Sequence, residues 1–572
     1  MDLERIVVSK PKACLVNAYS RNHDSIENLA ADSPVEGLNF LPIDLQSRML
    51  NSGIQTDFSL RGSNFQGVLM LLNGQRINDP QTGHFNSDIP LTKEDIEDIK
   101  IMPGASSSLF GPDAIGGALD FQVKHPTEKK LVLELSGGRF NSAAGLFSAS
   151  GKLTDNFSAR LSVQRRESSG FHYDTDFNDF ISTLATSLAI PDGELTTSFG
   201  YQDKRFGAFD FYTPGLGYPS KEWTKTCLFD TGLNLSKAGW LIKPNFIWRR
   251  HYDKFVLDKT GIKSTYLNRH RTDMFTPNAY FQRDAASLGR VGFGLEYGQE
   301  RINSTNLGKH SRDHKSIFID DGKDLNRELS LGSSFRVDDF TGFDKTYTGA
   351  VNLKYQLSEI NSLNFGLSRN IRIPSFTELY YNDPTTTGDA GLSSEKAMNY
   401  QLGYEHKNGE FCAGTTVFFR DEKDMIDWVK TTSSQVKFEA DNITQDRASG
   451  IEGYAKLKVN QWCDLDANYT YVNRYSDKKG YIYKYGQNYT RHLSNMLCTF
   501  RLPFGTQTLG WTYKKKPGRS GWFVMDAHLA YDLNRNAGFF FNATNLLNAA
   551  YEEIVGIPQP GRYVEGGLRF EW

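Results

Sequence analysis

The pattern of apolar and polar positions changes near residue 130. Beyond it the chain alternates with period two: Phe157, Ala159, Leu161 and Val163 are interleaved with Ser158, Arg160, Ser162 and Gln164, and Val351, Leu353, Tyr355 and Leu357 with Asn352, Lys354 and Gln356. Successive side chains of a strand point to opposite faces, so each stretch predicts a strand with one apolar and one polar face. Short polar turns (Leu153 to Asn156, Pro191 to Glu194, Ser236 to Gly239, Lys407 to Glu410, Asn534 to Ala537) separate long segments rich in Asp, Gly, Tyr and Phe (Phe206 to Trp223, His251 to Asp273, Ile371 to Lys396). Connections sorted in this way predict a membrane β-barrel, with short turns at one rim and long loops at the other. About ten short turns after Leu131 bound about eleven hairpins, hence roughly 22 antiparallel strands. The chain stops on an alternating strand, Val564 to Trp572, which has the form of a closing strand, because an open sheet edge is not sustained in lipid.

The first 126 residues lack this alternation. They predict a small α+β domain, with Val68 to Leu72 as a buried strand, Lys93 to Asp98 as a helical turn and Ala118 to Val123 as a last strand. The lumen of a barrel of about 22 strands is too wide for side chains to fill. The expected division is therefore an extended segment over 1–10, a plug domain inside the lumen over 11–126, and a transmembrane barrel over 127–572.

Composition narrows the function classes. The chain has 572 residues with 65 basic and 67 acidic side chains, a net charge of −2, which argues against a nucleic-acid partner. Mean hydropathy is −0.49, and no run approaches the roughly 18 apolar residues of a spanning helix. Both facts are compatible with a barrel, whose lipid-facing signal is diluted by alternate polar residues. The five cysteines, Cys14, Cys227, Cys412, Cys463 and Cys498, are far apart and form no disulfide framework or Cys/His zinc motif. Ser393 to Lys396 and Lys259 to Gly261 match short serine-hydrolase patterns, but in reversed order and in inferred loops, so no enzyme is expected. Met1 to Val8 has neither the basic nor the apolar region of a signal peptide, so an export leader is expected to lie outside the sequence given.

The chain resembles the TonB-dependent outer-membrane receptors. Arg61-Gly62 followed by Val68 to Asp79, and Ile96 to Ile101 followed by Ser107 to Leu119, are similar to the two plug signatures of that family; Ile373 to Tyr381, Asn545 to Asn548 and Pro560 to Arg562 are similar to its barrel. The resemblance implies an outer-membrane transport receptor of a Gram-negative cell, without catalytic residues or cofactor. Its partners would be outer-membrane lipid, a TonB-type energy-coupling protein and a scarce external solute. Glu4, Ile6, Val7 and Val8 resemble the coupling peptide, whose β-branched residues suit an added strand. Arg61, Gly62, Gly74, Gly111, Gly116 and Gly117 mark the plug motif. Asn73 replaces the usual aspartate of a turn, and Pro103-Gly104-Ala105 lacks the usual arginine, which leaves open how plug and barrel lock.

The resemblance is strongest to the cobalamin branch, through Asn78 to His84, Tyr201 to Ala208, Phe211 to Pro214 and Arg249 to Phe255, and implies a corrinoid such as vitamin B12 as ligand. A ferric siderophore or haem receptor of the same family is the alternative, with a passive porin or an adhesin behind it. The candidate ligand residues are Asp79, His84, Phe85 and Asn86 on the plug with Phe206, Phe211, Tyr212 and Tyr380 from the barrel. Asp174, Asp176, Asn178 and Asp179 place oxygens at near-alternate positions and form a candidate Ca²⁺ loop, although the spacing is not that of an EF-hand.

Overall fold

The period-two segments build one closed barrel. A computed structural model describes residues 19–49, 53–104, 107–213, 215–285, 288–476, 480–484 and 488–572; Glu4, Ile6, Val7 and Val8 lie outside them. Among the described residues, 22 antiparallel strands follow one another from Lys130–Gly138 to Tyr563–Glu571, and the last pairs with the first. Two short segments, Thr386–Thr387 and Ile482–Tyr483, add to strand ends. At the seam Leu131 N–H donates to the Trp572 carbonyl at 2.9 Å and Trp572 N–H returns a bond to Leu131 at 3.0 Å. The alternating C-terminal segment thus closes the barrel.

The two faces are reversed relative to a soluble sheet. In the strand Phe157–Ser168, Ser158, Arg160, Ser162 and Gln164 are buried against the interior while Leu161 is 47% exposed on the outside. Leu135, Phe147, Leu184, Phe293, Ile317, Leu402 and Leu568 are likewise exposed on the outer wall. Hydrocarbon takes the place of a protein core for these side chains. No helix is long and apolar enough to cross a membrane among the described residues. The expected short turns join successive strands; at one, Ala238 and Gly239 both take positive φ (51° and 78°), the turn geometry whose twist matches a hairpin. The inferred long segment His251 to Asp273 is shorter than expected. Its two strands, Trp240–Val256 and Leu267–Ala285, stay paired up to Val256 and Leu267, leaving 257–266 as the connection.

The lumen holds the N-terminal domain. Its strands are β1 (Tyr19–Asn22), β2 (Asp44–Ser47), β3 (Thr56–Ser59), β4 (Val68–Leu72), β5 (Gln75–Arg76), β6 (Ile96–Pro103) and β7 (Gly117–Val123). Five form a mixed sheet in the order β1-β6-β7-β4-β5, with β4 and β7 parallel; β2 and β3 pair separately. All five residues of β4 are buried, and their alternation feeds two cores. Val68, Met70 and Leu72 join Ile99, Ile101, Leu119 and Phe121 on one face; Leu69 and Leu71 join Met102, Leu109, Phe110 and Ala118 on the other. At about 1.5–3 kcal/mol for each large side chain, this double burial holds the sheet together. Helix α1 (His23–Glu27) is capped by the Asn22 side chain. The turn expected over Lys93 to Asp98 ends at Asp95, closed by a Thr92/Asp95 capping box, and β6 begins at Ile96 because Ile96, Ile99 and Ile101 belong to the core. Gly117 is demanded by geometry: its φ is 142°, and a Cβ there would lie 2.4 Å from the Met102 carbonyl.

Candidate ligand-binding site

Between β3 and β4 the chain reverses through Arg61 and Gly62, both at positive φ (50° and 70°), and presents Asn64, Phe65 and Gln66 as a partly exposed trio on an otherwise buried stretch. Gln66 fixes the trio: its amide donates to Ser375 Oγ at 3.0 Å, and its Oε1 accepts Gly83 N–H at 2.6 Å. The short helical turn Gly83–Phe85 then sets the His84 ring on Phe65, with centroids 4.2 Å apart and planes 13° apart. Behind it, Asp57 receives His84 Nδ1 at 2.8 Å and Arg48 Nη2 at 2.9 Å. Burial alone would raise the Asp57 carboxyl, but Arg48 and His84 outweigh it and hold the group well below the usual carboxylate range. Burial also lowers His84, against the opposing pull of Asp57.

Tyr212 reaches this apex from the barrel. Its hydroxyl accepts from Gln55 Nε2 at 2.7 Å and donates to Glu222 at 3.2 Å, and its ring lies 5.9 Å from His84 and edge-on to Phe255. Plug and loop therefore bring His84 and Tyr212 together. Asp79, Phe85 and Asn86 lie beside them but serve the joint between plug and wall. Asp79 is paired with Arg249, its N–H donates to Asn86 Oδ1 at 3.0 Å, and Phe85 packs on His251 at 4.5 Å.

The other candidates are placed elsewhere. Phe206 and Phe211 do not face an open site: they are buried on Met49 and Ile54, where they clamp the loop onto the plug. Tyr380, from helix α2 (Phe376–Tyr380), stacks on His310 at 3.6 Å within a separate aromatic cluster. The candidate Ca²⁺ ligands do not converge on one point. Asp174 is taken by Lys259, Asp176 by Lys221 at 3.1 Å, Asn178 by Glu167 at 2.9 Å, and Asp179 is buried against Arg166 at 2.6 Å. Strand alternation from Phe177 onward sends Asn178 and Asp179 to opposite faces, which the oxygen spacing alone does not reveal.

A cleft opens between the trio and the wall, lined by Glu378, Met425, Ile426, Trp428 and Arg474. Arg474 is held by Asp446 at 3.0 Å and lies over the Tyr489 ring at 5.6 Å, Lys484 over Trp428 at 5.9 Å, and Lys430 over Phe438 at 4.4 Å. In sequence, 477–491 and 516–521 carry Lys478, Lys479, Lys484, Arg491, Lys516 and Arg519 with Asp477, and Tyr481, Tyr483, Tyr485 and Tyr489; in the structure Arg519 pairs with Glu552 at 3.5 Å and Lys516 bonds the Glu553 carbonyl. Lys516 Nζ donates to Asn488 Oδ1 at 2.7 Å and ties the two connections together. These residues escaped the sequence reading. The one available signal for the trio was a polar-aromatic-polar run one residue after Arg61-Gly62, ahead of the apolar run Val68 to Leu72.

The question left by Pro103-Gly104-Ala105 has a structural answer. Arg61 binds Gln401 at 2.7 Å and Glu452 at 2.7 Å on the wall; Arg76 bridges Asp113 at 2.7 Å and Glu300 at 2.5 Å. Lys204 binds Asp88 at 2.5 Å, Arg160 binds Asp95 at 2.9 Å, and Asn370 donates to the carbonyls of Gly104 and Ala114 at 2.6 and 2.7 Å. Such buried pairs set registration more than stability, because desolvation offsets much of their attraction.

Residues 18–118 match the TonB-dependent Receptor Plug Domain, and residues 121–546 match the family described as TonB dependent receptor-like, beta-barrel. The chain belongs to the TonB-dependent receptor family. Members are outer-membrane transport receptors, not enzymes. Among curated relatives, the vitamin B12 transporter BtuB of Photobacterium profundum is 23% identical over 397 residues, 66% of this chain and 62% of that protein. The iron-regulated outer membrane virulence protein of Vibrio cholerae (strain O395) is 24% identical over 479 residues, 74% of this chain and 70% of that one. Among solved structures, the siderophore receptor PirA from Pseudomonas aeruginosa superposes with a TM-score of 0.77 at 15% identity, covering 97% of this receptor and 99% of PirA. The ferric yersiniabactin uptake receptor FyuA from Yersinia pestis superposes with a TM-score of 0.77 at 14% identity, covering 97% and 98%.

Proposed function

We propose that this receptor captures an anionic ferric chelate of the siderophore class at the plug apex and imports it when a TonB-type protein pulls on Glu4 to Val8. The observation that carries the reading is the basic and aromatic outer rim beside the cleft, where Lys484 lies over Trp428, Lys430 over Phe438 and Arg474 over Tyr489, with Arg491, Lys516, Tyr481 and Tyr483 nearby. Cations lying over aromatic rings suit a ligand that is both negatively charged and aromatic, as ferric catecholates are. A corrinoid carries no comparable negative charge and gains little from this rim. Relatives named for siderophore and ferric enterobactin uptake support the reading.

The second reading, a corrinoid ligand, is favoured by relatives named as vitamin B12 transporters and by the His84/Tyr212 pairing at the apex. Titration of the purified receptor with ferric enterobactin, haem and cobalamin separates the two. The proposal expects saturable binding of the ferric chelate that weakens as salt rises, and weakens by roughly 1–3 kcal/mol in Phe65→Ala, the loss of a packed anchor. Saturable binding of cobalamin with no response to the chelate would establish the second reading.

A further inference from the structure

At the rim of short turns, the lower edge of the plug holds a cluster that the transport reading does not use. His23 opens helix α1, and Glu27 follows one turn later on the same face. Glu94 comes from the turn Lys93–Asp95. His23 Nε2 lies 3.4 Å from Glu27 Oε1 and 3.7 Å from Glu94 Oε2, and one donor atom from each of the three residues falls within 4.8 Å of the others. Tetrahedral bonds of about 2.0–2.2 Å place neighbouring ligand atoms roughly 3.3–3.6 Å apart, so the set already stands near the spacing a small cation requires.

A second observation is independent of that spacing. The His23 side chain is only 7% exposed, and neither ring nitrogen has a hydrogen-bond partner. A buried imidazole normally finds partners for both nitrogens, because leaving one unpaired costs desolvation without return. Here Nε2 points between two carboxylates instead. Charge agrees: Arg569 is shared by Glu27, Glu94, Glu134 and Glu571, while Lys93 pairs with Glu134 at 2.8 Å and Lys130 with Glu571 at 3.2 Å. Four carboxylates face these three cations, and a fourth cation that acts on His23, Lys124, is paired with the exposed Glu128 at 3.5 Å. Glu27 is 26% exposed and gives access from the solvent below.

We propose that His23, Glu27 and Glu94 form a divalent transition-metal site of the zinc class, with water completing the coordination. One imidazole with two carboxylates suits Zn²⁺, whereas Mg²⁺ and Ca²⁺ prefer oxygen ligands alone. A metal there joins the first helix of the plug to the turn whose Asp95 is anchored on Arg160. Through Arg569 it also faces the closing strand of the barrel. The site would therefore brace the lower edge of the plug.

The test uses the full chain purified in detergent and stripped with a chelator. Titration with Zn²⁺ should give one equivalent bound that millimolar Mg²⁺ does not displace. His23→Gln and Glu27→Gln should each weaken it at least about tenfold while the unheated barrel keeps its fast migration on gels. Co²⁺ in place of Zn²⁺ should give visible d–d absorption without a thiolate charge-transfer band. Zn²⁺ binding unchanged in both variants, no binding by the parent chain, or a Co²⁺–thiolate band assigning the metal to cysteine would each overturn the proposal.

Discussion

Arg61 concentrates the residue-scale argument. It sits at positive φ, spans the gap between plug and wall, and neutralises the buried Glu452. Arg61→Ala leaves that carboxylate unpaired, at a cost of about 3–5 kcal/mol. Limited proteolysis should show a loosened plug in an intact barrel, and Glu452→Gln in the same chain should restore part of the protection. Asp88 supports a pH prediction. Burial would raise its carboxyl, but Lys204 and His251 hold it well below its ordinary value. A depressed carboxylate contributes stability that is complete above the unfolded value of about 3.9 and is lost as pH falls from there toward the folded value. Plug stability followed by calorimetry should therefore fall as pH drops below about 4 in the parent and show a shallower acid slope in Asp88→Asn. An identical slope in both would remove Asp88 from the acid response.

At the scale of elements, the seam makes the sharpest claim. Deleting Phe570, Glu571 and Trp572 removes the pairs of Phe570 with Leu133 and of Glu571 with Val132, together with both Leu131–Trp572 bonds. Assembly should fall and the heat-dependent shift on gels should be lost; full assembly of the shortened chain would show that closure is secured elsewhere. The same scale shows what could be read in advance. Strand faces were legible because lipid and lumen impose opposite preferences on alternate residues, as Leu161 and Ser162 show. The β4 strand was legible as an unbroken apolar run, because both of its faces meet a core. Contacts between distant segments were not. Phe206 and Phe211 had the composition of an exposed aromatic loop, and nothing local announced that Met49 and Ile54 would cover them. The acidic run near Asp174 was legible as oxygen-rich but not as already satisfied, because Lys221, Lys259 and Arg166 reach it from other strands or loops.

At the scale of the whole molecule, a 22-stranded wall, a plug fixed by buried ion pairs and a basic aromatic rim describe a closed gate rather than a pore. Passive flow is blocked by the folded domain in the lumen, so passage of a bulky solute requires work on the plug. The coupling segment is where that work would enter. Proline at Val7 or Val8 removes a main-chain donor and should prevent edge pairing without touching the external site. The most direct measurement is uptake of radiolabelled iron, supplied as a ferric siderophore, by cells carrying the parent chain or Val7→Pro. The account predicts accumulation only with the parent, together with equal surface binding of the chelate by both. Equal accumulation in the two strains, or none in either while labelled cobalamin enters, would contradict it.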